Sequence, residues 1–158
     1  MNRALIATII VFSSTLISYG QNKFGGGIMY GSYLEQPAIQ VHGVFGFNPK
    51  FKVAPDFIYY FTDKVEILGN ETKTRVWELN GNVQYYVLEK GIQGYLIGGL
   101  NFTRTVIDAD MATRVVNGEF GLNLGAGVSF AKIIFTEFKY IFGNSEGFVA
   151  GAGVRIGI

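Results

Sequence analysis

The sequence has no cysteine. That excludes a disulfide scaffold, a thiolate metal centre and a cysteine nucleophile, and leaves no residue to carry a lipoprotein's lipid. Its single histidine leaves a zinc site without a second ligand of that kind. Charged residues make up only 16% of the chain, against a norm of about 25%. With a formal net charge of +1 and no basic stripe, nothing in the chain suits nucleic acid. After the N-terminal segment, no stretch keeps a 3.6-residue apolar period, so amphipathic helices are not the building element. What the chain has instead is glycine, 22 of 158 residues, and aromatic residues at 15%. The glycines follow no three-residue period, which removes a collagen-like reading.

The first 20 residues stand apart. Asn2 and Arg3 begin a short positive start, Ala4 to Phe12 form an apolar run, and Ser18 and Gly20 are small residues at −3 and −1 of a cut before Gln21. This is the layout of a secretory signal peptide, too short for a membrane span. The expected division is residues 1–20 as a cleaved signal peptide and 21–158 as one domain. Cleavage removes Arg3 and leaves a formally neutral chain.

The remainder alternates with period two. Phe120, Leu122, Leu124, Ala126, Val128 and Phe130 share one parity, while Glu119, Gly121, Asn123, Gly125, Gly127 and Ser129 share the other. Trp77–Val87 and Phe148–Ile158 repeat the pattern. Such runs predict eight strands near 23–33, 38–48, 51–62, 75–87, 92–104, 118–130, 132–142 and 147–158. Each reaches or exceeds the ~9–11 residues of a tilted strand that crosses a bilayer. Tight turns at 48–50, 89–91 and near Ala131 alternate with longer or more polar links at 34–37, 63–74, 105–117 and 143–146. The expected fold is all-β, an eight-stranded antiparallel up-and-down transmembrane barrel.

The orientation of the faces follows from glycine. Gly25, Gly27, Gly31, Gly121, Gly125, Gly127, Gly151, Gly153 and Gly157 share the parity of the charged residues. A solvated outer surface has no use for them, whereas the narrow interior of an eight-stranded barrel does, because they leave room for large side chains. The polar parity is therefore the lumen. Its predicted network comprises Lys52, Asp56, Glu78, Glu119, Glu137, Lys139 and Arg155, with His42, Asn80, Asn82, Gln84 and Asn123. Charges of both signs in so confined a space must pair, which predicts a plugged barrel. Aromatics on the other parity, among them Phe24, Tyr30, Phe57, Trp77, Phe102, Phe138 and Phe148, suit interfacial girdles.

Some stretches resemble a known family. Gly43–Tyr60, with its glycine-bearing strand, short turn and Pro55-Asp56-Phe57-Ile58-Tyr59 segment, is similar to the second hairpin of the Bacteroidetes-type outer-membrane β-barrel domain. Glu78–Tyr86 and Gly94–Asn101 resemble the strands that follow. The resemblance implies a small eight-stranded barrel addressed to the bacterial outer membrane, and carries no catalytic or ligand-binding residues. The C-terminal Gly153-Val154-Arg155-Ile156-Gly157-Ile158 fits a barrel-assembly signal read through Gly153, Ile156 and Ile158, although it ends in isoleucine rather than an aromatic residue.

Signs of chemistry are few. His42 has no Gly-x-Ser-x-Gly elbow to serve and is expected to be a structural, hydrogen-bonded lumen residue. Gly25-Gly26-Gly27 precedes no helix and is no phosphate cradle. The expectation is a non-enzymatic protein with no cofactor and no metal, whose partners are outer-membrane lipid, the barrel-assembly machinery and a possible surface partner at loops 63–75 and 105–117. The alternatives are a narrow transporter, or a barrel that takes lipid or a small hydrophobic ligand through a lateral opening. The latter needs a gap in strand pairing near Pro37 or Pro55. A soluble, lipocalin-like barrel is the third reading.

Overall fold

The structure, a computed structural model, describes residues 22–61, 63–67, 70–88, 91–109, 115–143 and 146–158. The expected signal peptide and its cleavage site lie outside these residues. The strands are β1 (Lys23–Gly31), β2 (Gln36–Gly46), β3 (Phe51–Tyr60), β4 (Asp63–Ile67), β5 (Asn70–Leu88), β6 (Gln93–Ala109), β7 (Val115–Phe130), β8 (Ile134–Phe142) and β9 (Gly147–Gly157). Their order is β3-β2-β1-β9-β8-β7-β6-β5-β4, and a further β3–β5 pairing closes the ring. Eight strands therefore form a closed antiparallel barrel, and among the described residues β4 pairs with β5 alone.

Two turns show why the chain reverses where it does. The Asn48 side chain accepts hydrogen bonds from the backbone N–H of Lys50 (2.9 Å) and Phe51 (2.8 Å), the Asx arrangement that starts a turn. Between β7 and β8, Ala131 and Lys132 both have positive φ (49° and 60°), and Ile133 N–H donates to Phe130 O at 3.0 Å. Two left-handed central residues make the type I′ geometry that matches strand twist.

The outer ends differ from the sequence expectation. The stretches 63–74 and 105–117, expected as long links, are largely paired strand. Asp63 to Ile67 pair with Thr74 to Asn70, β5–β6 pairing runs to Thr72↔Ala109, and β6–β7 pairing begins at Ile107↔Val115. The cause is local: Thr72, Thr74, Val76, Thr103, Thr105, Val106 and Ile107 are β-branched residues that favour a pleated surface in water as well as in lipid. On the other side, β7 has β8 partners only from Leu122 onward. A sheet of β4, β5, β6 and β7 thus projects beyond the outer rim.

The walls are inverted relative to a soluble barrel. Ile28, Leu100, Phe120, Leu124 and Ile156 point outward and are exposed, while Asp56, Glu78, Asn80, Glu137, Lys139 and Arg155 point inward and are buried. An apolar outside around a polar inside is stable only in a bilayer. No described helix is long and apolar enough to cross a membrane; the strands do the crossing. β1 and β2 pair without interruption at Pro37↔Tyr30. β2 and β3 do not. Their ladder stops at His42↔Asp56 and resumes in the same register at Phe45↔Val53, leaving Pro55, which has no N–H to donate, opposite Gly43.

Candidate functional site: the lumen and its outer mouth

The middle of the lumen is built around Asp56. Its Oδ1 accepts from Asn80 Nδ2 (2.8 Å), and its Oδ2 accepts from Asn82 Nδ2 (2.7 Å) and Lys139 Nζ (2.9 Å). Register explains the gathering, since Asp56 pairs with Asn80, Asn80 with Asn101 and Asn101 with Gly121. Asn80 Oδ1 in turn accepts from Asn101 Nδ2 and Asn123 Nδ2, both at 2.8 Å. Thr103 Oγ1 donates to Asn101 Oδ1 at 2.8 Å. Every side chain in this lane is buried, and the network replaces most of the hydration its groups lost; Asn123 Oδ1 has no partner among the described residues.

The half of the lumen toward the tight turns holds cations against aromatic rings. Lys52 Nζ lies 4.2 Å from the Tyr86 ring centroid, and the Arg155 guanidinium lies 5.1 Å from Tyr95 and 5.2 Å from Phe135. Tyr86 and Tyr95 stack at 5.0 Å. Glu137 Oε1 accepts from Tyr95 OH (2.8 Å) and Gln84 Nε2 (3.2 Å). Gly127 makes this possible, because a Cβ there would stand 2.5 Å from the Tyr95 ring. Cation–π contacts thus do part of the work that the sequence assigned to ion pairs. The fully buried Arg155 has no hydrogen-bond partner for its guanidinium nitrogens among the described residues.

The outer end of the lumen is apolar, which the polar parity did not foretell. Met29, Ala38, Ile58, Tyr60, Val76, Ile141 and Val149 form one buried cluster, with Tyr33 and Leu34 of the β1–β2 turn packed against it. Glu78 sits under this cap. Its Oε1 accepts from Tyr60 OH at 2.8 Å and from Tyr33 OH. Burial first, and then the Glu78 carboxylate, push the Tyr33 hydroxyl pKa well above the usual tyrosine range. A cavity of about 140 Å³ remains at the mouth, lined by Leu34, Gln36, Tyr60, Phe61, Thr72, Thr74 and Val76. Leu34 and Tyr33 carry no sequence mark of a plug; only their position after β1 puts them over the opening.

Of the residues singled out in the sequence, Asp56 and Lys139 are joined directly, and Glu137 lies in the next layer with Lys52 and Arg155 nearby. Glu78 belongs to the outer cap. Glu119 stands apart: it is half-buried near the outer rim and accepts from Asn117 Nδ2 at 2.7 Å. His42 is buried with its ring 4.5 Å from Phe135, and its Nε2 is unpartnered among the described residues. No group of three His, Cys, Asp or Glu that could hold a metal ion occurs among the described residues. Gly153 lies under the Phe135 ring, and Ile156 and Ile158 are exposed on the outer wall and at its end. Of the expected partner segments 63–75 and 105–117, residues 63–67, 70–75, 105–109 and 115–117 belong to the projecting sheet, and the rest lie outside the described residues.

No family model and no curated protein sequence matches the chain. Solved structures do resemble it. The N-terminal β-barrel domain of Pseudomonas aeruginosa OprF aligns at 14% identity over 86% of this chain and 96% of that one, with a TM-score of 0.63. Neisserial surface protein A aligns at 18% identity over 87% and 95%, with a TM-score of 0.58. Ail, the attachment invasion locus protein of Yersinia pestis, aligns at 13% identity over 87% and 99%, with a TM-score of 0.57. At these identities the likeness is one of fold. Together with the inverted walls, it makes the chain a small eight-stranded β-barrel of the outer-membrane type.

Proposed function

We propose that this chain is a non-enzymatic integral protein of the bacterial outer membrane, with a plugged lumen and a structural or surface-interaction role. The filled interior carries this reading. Arg155, Tyr60, Tyr86, Tyr95, Phe135 and Lys139 are all fully buried there, and eight strands leave no aqueous channel once such side chains occupy the space. The projecting sheet supports the surface role. Among the described residues, β4 is paired on one side only and Val115 to Gly121 of β7 have no β8 partner. Unpaired edges of this kind are templates for an added strand. Membership of the Bacteroidetes-type barrel family, and recognition of Gly153, Ile156 and Ile158 by the assembly machinery, belong to the same reading.

The test is electrical. The folded protein, extracted from outer membranes and reconstituted in a planar bilayer, is expected to give no steady channel conductance. A reproducible ohmic channel would overturn the plugged lumen. Removal of residues 68–69 and 110–114 should leave heat-modifiable gel mobility intact while weakening adhesion of cells to surfaces; unchanged adhesion would overturn the surface role.

A further inference from the structure

The tight-turn end of the lumen collects positive charge. Lys23 is the first residue of β1 and has the lumen parity. Its Nζ donates to the backbone carbonyl of Lys132, in the β7–β8 turn, at 3.0 Å. The charges that bear on it among the described residues are Arg155, Lys52 and Lys132, all of its own sign. Arg155 pairs with Gly25, two residues along β1 from Lys23, where a Cβ would stand 2.7 Å from Arg155 Cβ. The missing side chain lets Arg155 lie against β1. Its guanidinium is fully buried, and none of its three nitrogens has a hydrogen-bond partner among the described residues. The faces of Tyr95 and Phe135 cover the cation, but a ring face supplies no acceptor for N–H groups at the guanidinium edge. Glu137, the carboxylate that bears on Arg155, accepts from Tyr95 and Gln84 instead. A buried cation without an acceptor is strongly destabilised, and cations gathered in a low dielectric repel one another. An anion removes both penalties. A water molecule would supply an acceptor and leave the charge.

We infer that the tight-turn end of the lumen binds a small soluble phosphate, either inorganic phosphate or a phosphomonoester. The guanidinium fork of Arg155 matches two phosphate oxygens side by side, and Lys23 and Lys52 add point charges. A doubly charged ligand offsets such a cluster better than a halide or a monocarboxylate does. Arg155, Lys23 and Lys52 stand inside the wall, on the parity turned away from lipid, so the ligand is a free ion and not a membrane headgroup. Lys23 is half-buried and Lys132 exposed, so the approach is from water at the turns, which in such barrels are periplasmic. One hydrogen bond to a carbonyl holds Lys23 Nζ in place, and a phosphate oxygen can replace it.

The test is equilibrium dialysis of the full chain, purified from outer membranes in a non-ionic detergent, against radiolabelled inorganic phosphate at fixed ionic strength. Saturable binding of a single phosphate per barrel is expected. The urea midpoint, read by heat-modifiable mobility, should rise with phosphate concentration, while chloride and acetate at the same ionic strength leave it unmoved. Arg155→Met keeps an apolar stem against Tyr95 and Phe135 and should weaken binding about tenfold or more, the loss of hydrogen bonds to a charged group. Should that variant fail to fold, Lys23→Gln reads the site from its accessible side and should weaken binding severalfold. Lys50→Gln, in the exposed β2–β3 turn, should leave it unchanged. Absence of saturable binding, binding unmoved by Lys23→Gln, or an equal response to chloride or acetate overturns the site. Competition by phosphatidylglycerol in the micelles that exceeds competition by glycerol phosphate overturns the soluble ligand.

Discussion

Lys139 Nζ and Asp56 Oδ2 meet 2.9 Å apart with side-chain exposures of 1% and 3%. The two residues lie on β8 and β3, four places apart round a ring of eight, so the ion pair spans the barrel from one wall to the opposite one. Removing one partner from a buried pair strands the other charge, at a cost of about 3–5 kcal/mol, whereas replacing both is far milder. Lys139→Met is therefore expected to lower the urea midpoint of the folded barrel strongly, and Lys139→Met with Asp56→Asn to restore much of it. A double variant no more stable than the single one would mean that Asp56 is held by Asn80 and Asn82 alone.

The outer wall makes the opposite demand. Leu124 pairs with Gly98 and Tyr140 at mid-length of its strand and points into lipid. Leu124→Arg should cost about 2–4 kcal/mol at the bilayer midplane, read as loss of the heat-modifiable species from the outer-membrane fraction. The neighbouring Asn123 faces the lumen, where it donates to Asn80 and Asn82. Insertion unchanged by Leu124→Arg would reverse the face assignment.

Much of this was legible in the sequence, for a physical reason. Period-two alternation fixes which residues share a face, and glycine on the polar parity identifies the confined side; Gly127 beneath Tyr95 is the direct instance. The outer cap was not legible. Met29, Ile58, Val76, Ile141 and Val149 sit on the polar parity but point into the outer end of the lumen, where the β1–β2 turn excludes water. Parity reports the face of a wall and carries nothing about depth along it. The projecting sheet was missed in part because bilayer thickness limits how long an apolar strand must be and sets no bound on pairing beyond the rim.

At the mouth, Tyr33→Phe removes one of the two hydroxyl donors to Glu78 Oε1. A hydrogen bond to a charged group contributes about 1.5–3 kcal/mol, and the loss should appear as a lower urea midpoint near neutral pH. The pH dependence has a definite sign. Burial and Glu78 raise the Tyr33 pKa in the folded state, while the unfolded hydroxyl titrates near its ordinary value of about 10. Above that pH the folded chain keeps a proton that the unfolded chain releases, so stability falls as pH rises. The gap between the native chain and Tyr33→Phe should therefore narrow in alkaline solution. A constant gap would dissociate Tyr33 from the closure.

Two glycines on strands of the same barrel should respond to alanine in opposite ways. At Gly125, on the lumen side of β7, a Cβ would lie 2.1 Å from the carbonyl oxygen of Phe138 and 2.8 Å from Lys139 Cα. Both are backbone atoms of the adjoining strand and cannot turn aside, so β7 and β8 would have to separate beside the residue that pairs with Asp56. Overpacking of this kind costs about 1–3 kcal/mol. At Gly81, on the lipid side of β5, a Cβ meets nothing, and relief of the glycine penalty in a strand contributes up to about 0.5–1 kcal/mol. Gly125→Ala should thus lower the urea midpoint and Gly81→Ala should hold or raise it. Equal destabilisation by both would mean that strand glycine here serves backbone conformation in general, and the distinction between a lumen glycine that admits a neighbour and a wall glycine that faces open space would fall with it.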